Sequence, residues 1–327
     1  MSDEYQLMHG DCLERMKEIP DGSVDMVMTD PPYFKVKGDA WDRQWDKPAC
    51  FLEWLGRVAD EWYRVLVPNG SLYCFASPQM SARVEVMLGG RFNVLNNIRW
   101  IKEAGWHQKA KKETLRRFLN PWESCIFCEH LGADNMAKGE AGYQRKCDEL
   151  RGFVFEPLRA YMVSELGRSG MTKKELNEKM GFAPHGMADS RYFGGSQWQL
   201  PTAEYYEMMR DITGRFSREY EDLRREYEDL RRPFAVTKDV PYTDVWTFEP
   251  VKTYKGKHPC EKPQDMLRHI ITASTREGAT ILDSFMGTGS AGIAATSLGR
   301  KFIGIELGAG YMKIAERRIQ EAYNTLF

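Results

Sequence analysis

Asp30-Pro31-Pro32-Tyr33 puts a carboxylate, two ring-locked residues and an aromatic face in consecutive positions. The prolines fix φ and remove two N–H donors, while their carbonyls still accept hydrogen bonds. Asp30 offers a charge-assisted acceptor. Tyr33 offers a flat face to a ring. Together these suit a planar group that carries an exocyclic NH2. A plain strand-ending turn would use the same residue types. A second set begins at Asp283, which runs into Ser284-Phe285-Met286-Gly287-Thr288-Gly289-Ser290-Ala291-Gly292, with Glu306 further on. Glycines let backbone approach a ligand closely. An acid ending the next strand accepts both hydroxyls of a ribose. The loop has neither the GxGxxG spacing nor GxxxxGK[ST], so a nucleoside smaller than a dinucleotide or triphosphate fits it better. Asp11, in His9-Gly10-Asp11-Cys12, is either a ligand contact or a helix N-cap.

Both sets need strands to hold them. Apolar runs predict strands at residues 5–8, 23–29, 71–75, 92–100, 124–128, 280–283 and 302–305. Helical spacing places helices at 13–19, 51–66, 81–88, 264–275, 293–298 and 311–323. Strands alternating with helices argue for an α/β fold with a largely parallel sheet, whose ligands lie beyond the carboxyl ends of the strands. Asp30, Asp283 and Glu306 all fall at such ends. Pro68-Asn69-Gly70 reads as a turn. The polar loop 35–47 carries Trp41, Asp42 and Trp45, and at least one tryptophan is expected to pack the loop down.

The chain has 327 residues and a formal net charge of -1, so any polyanion must meet a local basic face. Seven cysteines do not make a disulfide framework. Cys125 and Cys128 form a CxxC with His130 beyond. With no second CxxC, core cysteines are the better reading and no metal is expected. No apolar run reaches the ~18 residues of a membrane span, and no signal-peptide pattern opens the chain. A cytoplasmic protein without membrane contact is the expectation.

Basic charge is concentrated in Arg99, Lys102, Lys109, Lys111, Lys112, Arg116 and Arg117, opposed only by Glu103 and Glu113. Trp100, Trp106 and His107 are interleaved, a composition suited to a phosphate backbone. Residues 131–255 lose the sheet pattern and read as a helical insert. A helix at 158–166, a glycine-containing turn and the capping box Thr172/Glu175 outline a helix-turn-helix, which would bring Lys173 and Lys174 to DNA. Arg191, Tyr192 and Trp198 follow in a Gly/Ser-rich loop, where they either touch bases or phosphates, Arg191 being the DNA candidate, or simply pack. An internal repeat, REYEDLR at residues 218–224 and again at 225–231, spaces Phe216, Tyr220, Leu223, Tyr227, Leu230 and Phe234 as a heptad stripe. It reads either as a brace on the protein body or as the arm of a homodimer.

DPPY at 30–33, DSFMGTGSAG at 283–292, HPCEKP at 258–263, GDCL at 10–13 and Glu306 together resemble the permuted β class of amino-group DNA methyltransferases. The resemblance covers roughly residues 1–130 and 256–327, the catalytic and cofactor-binding halves, with a target-recognition region between them. It implies a circularly permuted, Rossmann-like seven-stranded sheet with S-adenosylmethionine as cofactor and double-stranded DNA as partner, in restriction-modification or related methylation. It implies that Asp30, Pro31, Pro32 and Tyr33 are catalytic. Phe285, Gly287 and Gly289 would form the cofactor loop, and Glu306 would bind the ribose. Asp11 would lie near the adenine amino group, and Asp283 and Lys262 at the methionine end. Ser284 departs from the family's usual Pro after the Asp. Asp at position 30 leans toward adenine N6, with a flipped base stacked on Tyr33. Cytosine N4 stands second. A regulatory DNA-binding protein on a methylase-like body, and a methylase of RNA or protein amines, are the rivals from other classes.

Overall fold

β2 (Val24–Thr29) is buried on both faces: Met26 and Met28 enter one core and Val27 the other. Such a strand belongs in the middle of a sheet covered on both sides. In the computed structural model it does lie there. The residues described are 4–36, 42–102, 113, 115–130, 155–183, 186, 191–194, 198–236, 242–252 and 260–325. Around β2 are β1 (Tyr5–His9), β3 (Leu66–Ala76), β4 (Asn93–Ile101), β5 (Trp122–Glu129), β6 (Val245–Trp246), β7 (Thr280–Asp283) and β8 (Lys301–Glu306). Their order is β1-β8-β7-β2-β3-β5-β4-β6. The expected seven strands are present, and the two-residue β6 pairs with β4 at the edge. The strands from β1 to β3 in this order are all parallel, while β5 runs antiparallel to both β3 and β4.

Helices α1 (Cys12–Met16), α2 (Pro48–Val65) and α3 (Ser81–Gly89) cover one face. α2 buries the stripe Phe51, Leu55, Val58, Ala59, Trp62 and Val65. The other face is covered by α8 (Gln264–Ser274), α9 (Ser290–Ser297) and α10 (Ala309–Asn324), the labels α4 to α7 being kept for the insert. Cys125 and Cys128, three apart on β5, point to opposite faces and lie in different cores. The turn expected at Pro68-Asn69-Gly70 is instead a bulge within β3. Val24 pairs with Leu66 and Met26 with Ser71, so the turn residues bow out of a continuing strand. Trp45 packs on Phe51 and Trp54, with ring centroids 5.1 and 4.6 Å apart. Trp41 lies outside the described residues.

Residues Met1–His130 and Pro233–Phe327 make one unit and Leu131–Arg232 a second. The insert expected to end at 255 therefore ends earlier. Phe234 stacks on Phe127 at 5.7 Å, and Ala235 N donates to Ala273 O at 2.8 Å, which ties this segment to the sheet. The second unit contains α4 (Glu156–Ser169), α5 (Lys173–Lys179), α6 (Ala203–Thr213) and α7 (Tyr220–Leu230). Gly170, at φ +74, ends α4, and the Thr172/Glu175 capping box starts α5. The heptad stripe is turned inward. Phe216 and Leu223 are fully buried in the unit's own core, with Tyr220, Tyr227 and Leu230 packed beside them.

Candidate active site

Glu306 ends β8 with both carboxylate oxygens placed by backbone. Oε2 accepts from Gly287 N at 3.0 Å and Oε1 from Gly308 N at 2.6 Å. Each oxygen keeps a lone pair for a further donor. Burial raises the Glu306 carboxyl above its ordinary pKa, against the pull of the Gly308 and Gly287 N–H groups. Gly287 and Gly289 adopt φ of +54° and +82°, the left-handed region open to glycine. A Cβ at Gly289 would lie 3.0 Å from Ile319. Arg318 of α10 holds this loop from behind, donating to Thr288 O at 3.1 Å and to Glu261 Oε1 at 2.7 Å. Asp11 caps α1 by accepting from Leu13 N at 2.9 Å, and it lines the same cavity as Glu306.

Ser284, the departure from the family pattern, is tied in by its hydroxyl. Trp62 Nε1 donates to Ser284 Oγ at 3.0 Å, and Thr29 Oγ1 lies 3.3 Å from it. Asp283 Oδ1 accepts from Thr29 Oγ1 at 2.9 Å and from Phe285 N at 3.0 Å. Burial pushes the Asp283 carboxyl up to about 7, although those two donors oppose it. Phe285 lies beside Trp54, ring centroids 5.7 Å apart.

Asp30 follows directly on β2. Its Oδ2 is ion-paired with Lys262, while its Oδ1 has no hydrogen-bond partner among the described residues. Lys262 is only 6% exposed. Burial alone would lower its pKa; the Asp30 and Glu123 carboxylates outweigh that and raise it. The resemblance assigns Lys262 to the methionine end of the cofactor, but the ammonium is turned to Asp30, Glu123 Oε2 at 3.5 Å and Tyr33 OH at 3.4 Å. Tyr33 OH in turn donates to Glu123 Oε2 at 3.4 Å. Burial, then the Asp30 and Glu123 charges, raise the Tyr33 phenol well above its ordinary value. One cavity of about 290 Å³ is lined by Asp11, Asp30, Pro31, Pro32, Tyr33, Lys262, Asp283, Phe285, Gly287 and Glu306. The two sets of residues, far apart in the chain, thus share a single pocket at the carboxyl ends of β2, β7 and β8.

Glu123 and Arg318 were not singled out by sequence. Glu123 had one signal, a charged residue beside the buried stretch of an apolar strand, which demands a partner. Among the described residues of the first unit, the candidate DNA residues Arg99, Lys102, Arg116 and Arg117 do not line this cavity. Arg99 donates to Ser124 Oγ at 2.5 Å and stacks 4.0 Å over Trp122. Lys102 pairs with Glu123. Arg116 and Arg117 are exposed, and Lys109, Lys111 and Lys112 lie outside the described residues, as do Trp106, His107, His258 and Pro259. In the second unit Lys174 and Arg191 are exposed and Lys173 half-buried. Among the described residues no helix is long and apolar enough to cross a membrane.

A family model for DNA methylases of the N6/N4 type matches residues 24–317. The DNA adenine methyltransferase YhdJ of Escherichia coli (strain K12) is 26% identical over 322 residues, covering 97% of this chain and 83% of the relative. The type II methyltransferase M2.DpnII of Streptococcus pneumoniae is 27% identical over 338 residues, covering 98% and 91%. Among solved structures, an M1.HpyAVI–SAM complex superposes with a TM-score of 0.52 at 19% identity, over 96% of this chain and 98% of that one. The cytosine-N4-specific PvuII DNA methyltransferase superposes with a TM-score of 0.56 at 12% identity, over 100% and 93%. The fold is therefore the circularly permuted methyltransferase sheet with a helical insert, and the chain belongs to the family of N6/N4 DNA methylases.

Proposed function

We propose that this DNA methylase transfers a methyl group from S-adenosylmethionine to the N6 amine of adenine in double-stranded DNA. The observation that carries the reading is Asp30, a carboxylate with one oxygen held by Lys262 and no partner on the other among the described residues, lining the cavity that also holds Glu306 and the glycine-loop face. S-adenosylmethionine supplies, when bound, an electrophilic sulfonium methyl. Glu306 fits its ribose because each oxygen has a lone pair left, and Gly287, which lines the cavity, lets the loop approach it, while Gly289 lets the loop pack on Ile319 and Ala315. Asp283 and Asp11 supply acidic partners at the two ends.

An adenine N6 is a weak nucleophile because its lone pair is delocalised into the ring. Asp30 Oδ1 accepts one N6 hydrogen and the Pro31 carbonyl the other, which localises the lone pair. Positioning then does most of the work, and Asp30 stabilises the positive charge that develops on nitrogen until the proton leaves. A duplex target must be flipped out to reach this cavity, where Tyr33 offers its ring. The adenine assignment rests on Asp at position 30 and is in keeping with YhdJ, which is named for adenine. Cytosine N4 presents a similar amine and is the alternative. Labelled methyl transfer to DNA, RNA and protein, followed by nucleoside analysis, tests the reading. N6-methyladenine in DNA is expected; N4-methylcytosine, or label confined to RNA or protein, would overturn it.

A further inference from the structure

Glu123 sits on β5, opposite Trp100 of β4 and outside every motif that marks the site. Its carboxylate nonetheless meets the catalytic set through two groups. Oε2 accepts from Tyr33 OH at 3.4 Å and lies 3.5 Å from Lys262 Nζ. Oε1 is ion-paired with Lys102, at the end of β4. Burial alone would raise the Glu123 carboxyl, but the Lys262 and Lys102 ammonium groups hold it below its ordinary value. A buried charge with three donors around it is fixed in place, and a group fixed in place fixes its neighbours.

We infer that Glu123 is a positioning residue for methyl transfer. It holds the Lys262 ammonium against Asp30 Oδ2 and pins the Tyr33 hydroxyl, so that the Asp30 carboxylate keeps one orientation toward the target amine. The geometry requires such a device. A carboxylate with two free oxygens can rotate and offer either one. Lys262 removes one of the two, but a lysine has three donors on a flexible stem and needs a second anchor to stay there. Glu123 is the charged anchor, with Cys260 O at 3.3 Å and Tyr33 OH at 3.4 Å as further contacts for the ammonium. Lys102 completes the alternating row Asp30, Lys262, Glu123, Lys102.

This inference rests on the reading of Asp30 as the acceptor for the target amine. Its test is Glu123→Gln, with Glu123→Asp as the conservative variant and wild type alongside. We expect kcat for DNA methylation to fall at least tenfold in Glu123→Gln, with DNA KM and S-adenosylmethionine Kd within about twofold of wild type. Glu123→Asp should recover part of the loss. A fall in kcat with both affinities kept, partly recovered by Glu123→Asp, is a split that a purely structural role for Glu123 would not produce. A Glu123→Gln enzyme with wild-type kcat would overturn the inference. So would a loss of cofactor affinity, DNA affinity and thermal stability together, with the remaining active fraction turning over at the wild-type rate. If Glu123→Gln does not fold, kcat in Glu123→Asp decides it: an unchanged kcat there overturns the inference. Absence of methyl transfer by wild type would sink the reading of the function instead, so the two failures are distinguishable.

Discussion

Thr29 and Asp283 end neighbouring parallel strands and share a hydrogen bond of 2.9 Å, although 254 residues separate them in the chain. Asp30 follows the first and the glycine loop the second. This hydrogen bond joins the strand that leads to Asp30 to the strand that leads to the glycine loop. Neither half is complete until β2 and β7 pair.

Asp283 ties cofactor affinity to pH. Its carboxyl is pushed up to about 7 by burial, so the free protein takes up a proton there as pH falls through that value. A cationic methionine end favours the ionised form. Affinity for S-adenosylmethionine should therefore weaken as pH drops from about 8 to about 6, with proton release on binding near neutrality. Calorimetry in buffers of different ionisation heat measures this. Asp283→Asn should abolish the pH dependence. For stability the sign is reversed. The native carboxyl holds its proton up to about 7 and the unfolded one only to about 4. The cofactor-free protein thus gains most from this group at low pH and loses that gain as pH rises from about 4 to 7.

Glu306→Ala should weaken S-adenosylmethionine binding at least tenfold, about 1.4 kcal/mol. It removes the ribose acceptor and also frees Gly287 N and Gly308 N. Unchanged affinity by calorimetry would reject the assignment.

Much of this was legible in the chain because the signals are local. Asp30 and Glu306 end apolar strands, and the glycines at 287 and 289 follow an acid at another strand end. Glu123, Arg318 and the pairing of Lys262 with Asp30 were not legible. Lys262 meets Asp30 across 232 positions, and Arg318 meets Glu261 across 57. Such pairings are made by sheet order and helix packing, not by spacing along the chain. The bulge at Pro68-Asn69-Gly70 reads as a turn for a related reason. Turn residues mark a change of direction, but a paired neighbour strand can carry the backbone through it.

Exposed charge beyond the end of β4 should govern general DNA affinity. Charge reversal at Arg116 and Arg117 is expected to weaken binding to every sequence. It should also flatten the salt dependence, by roughly 0.9 in log–log slope for each phosphate left without its arginine. An unchanged slope would mean that these arginines face only solvent. Lys102→Ala should lower kcat more than it alters the slope, since its ammonium pairs with Glu123.

The repeat helix α7 should brace the insert. Leu223 is fully buried in that unit's own core, so Leu223→Ala is expected to cost about 2–5 kcal/mol of stability. Light scattering should give the same mass for the variant as for wild type. A fall to half the wild-type mass would restore the dimer arm.

The central claim is that Asp30 Oδ1 accepts the hydrogen of an adenine amine. Its most direct measurement is nucleoside analysis of DNA treated with wild type and with Asp30→Ala, beside S-adenosylmethionine binding to both. N6-methyladenine is expected from wild type, none from Asp30→Ala, and cofactor affinity largely retained. N4-methylcytosine from wild type, or N6-methyladenine formed at the wild-type rate by Asp30→Ala, would contradict it.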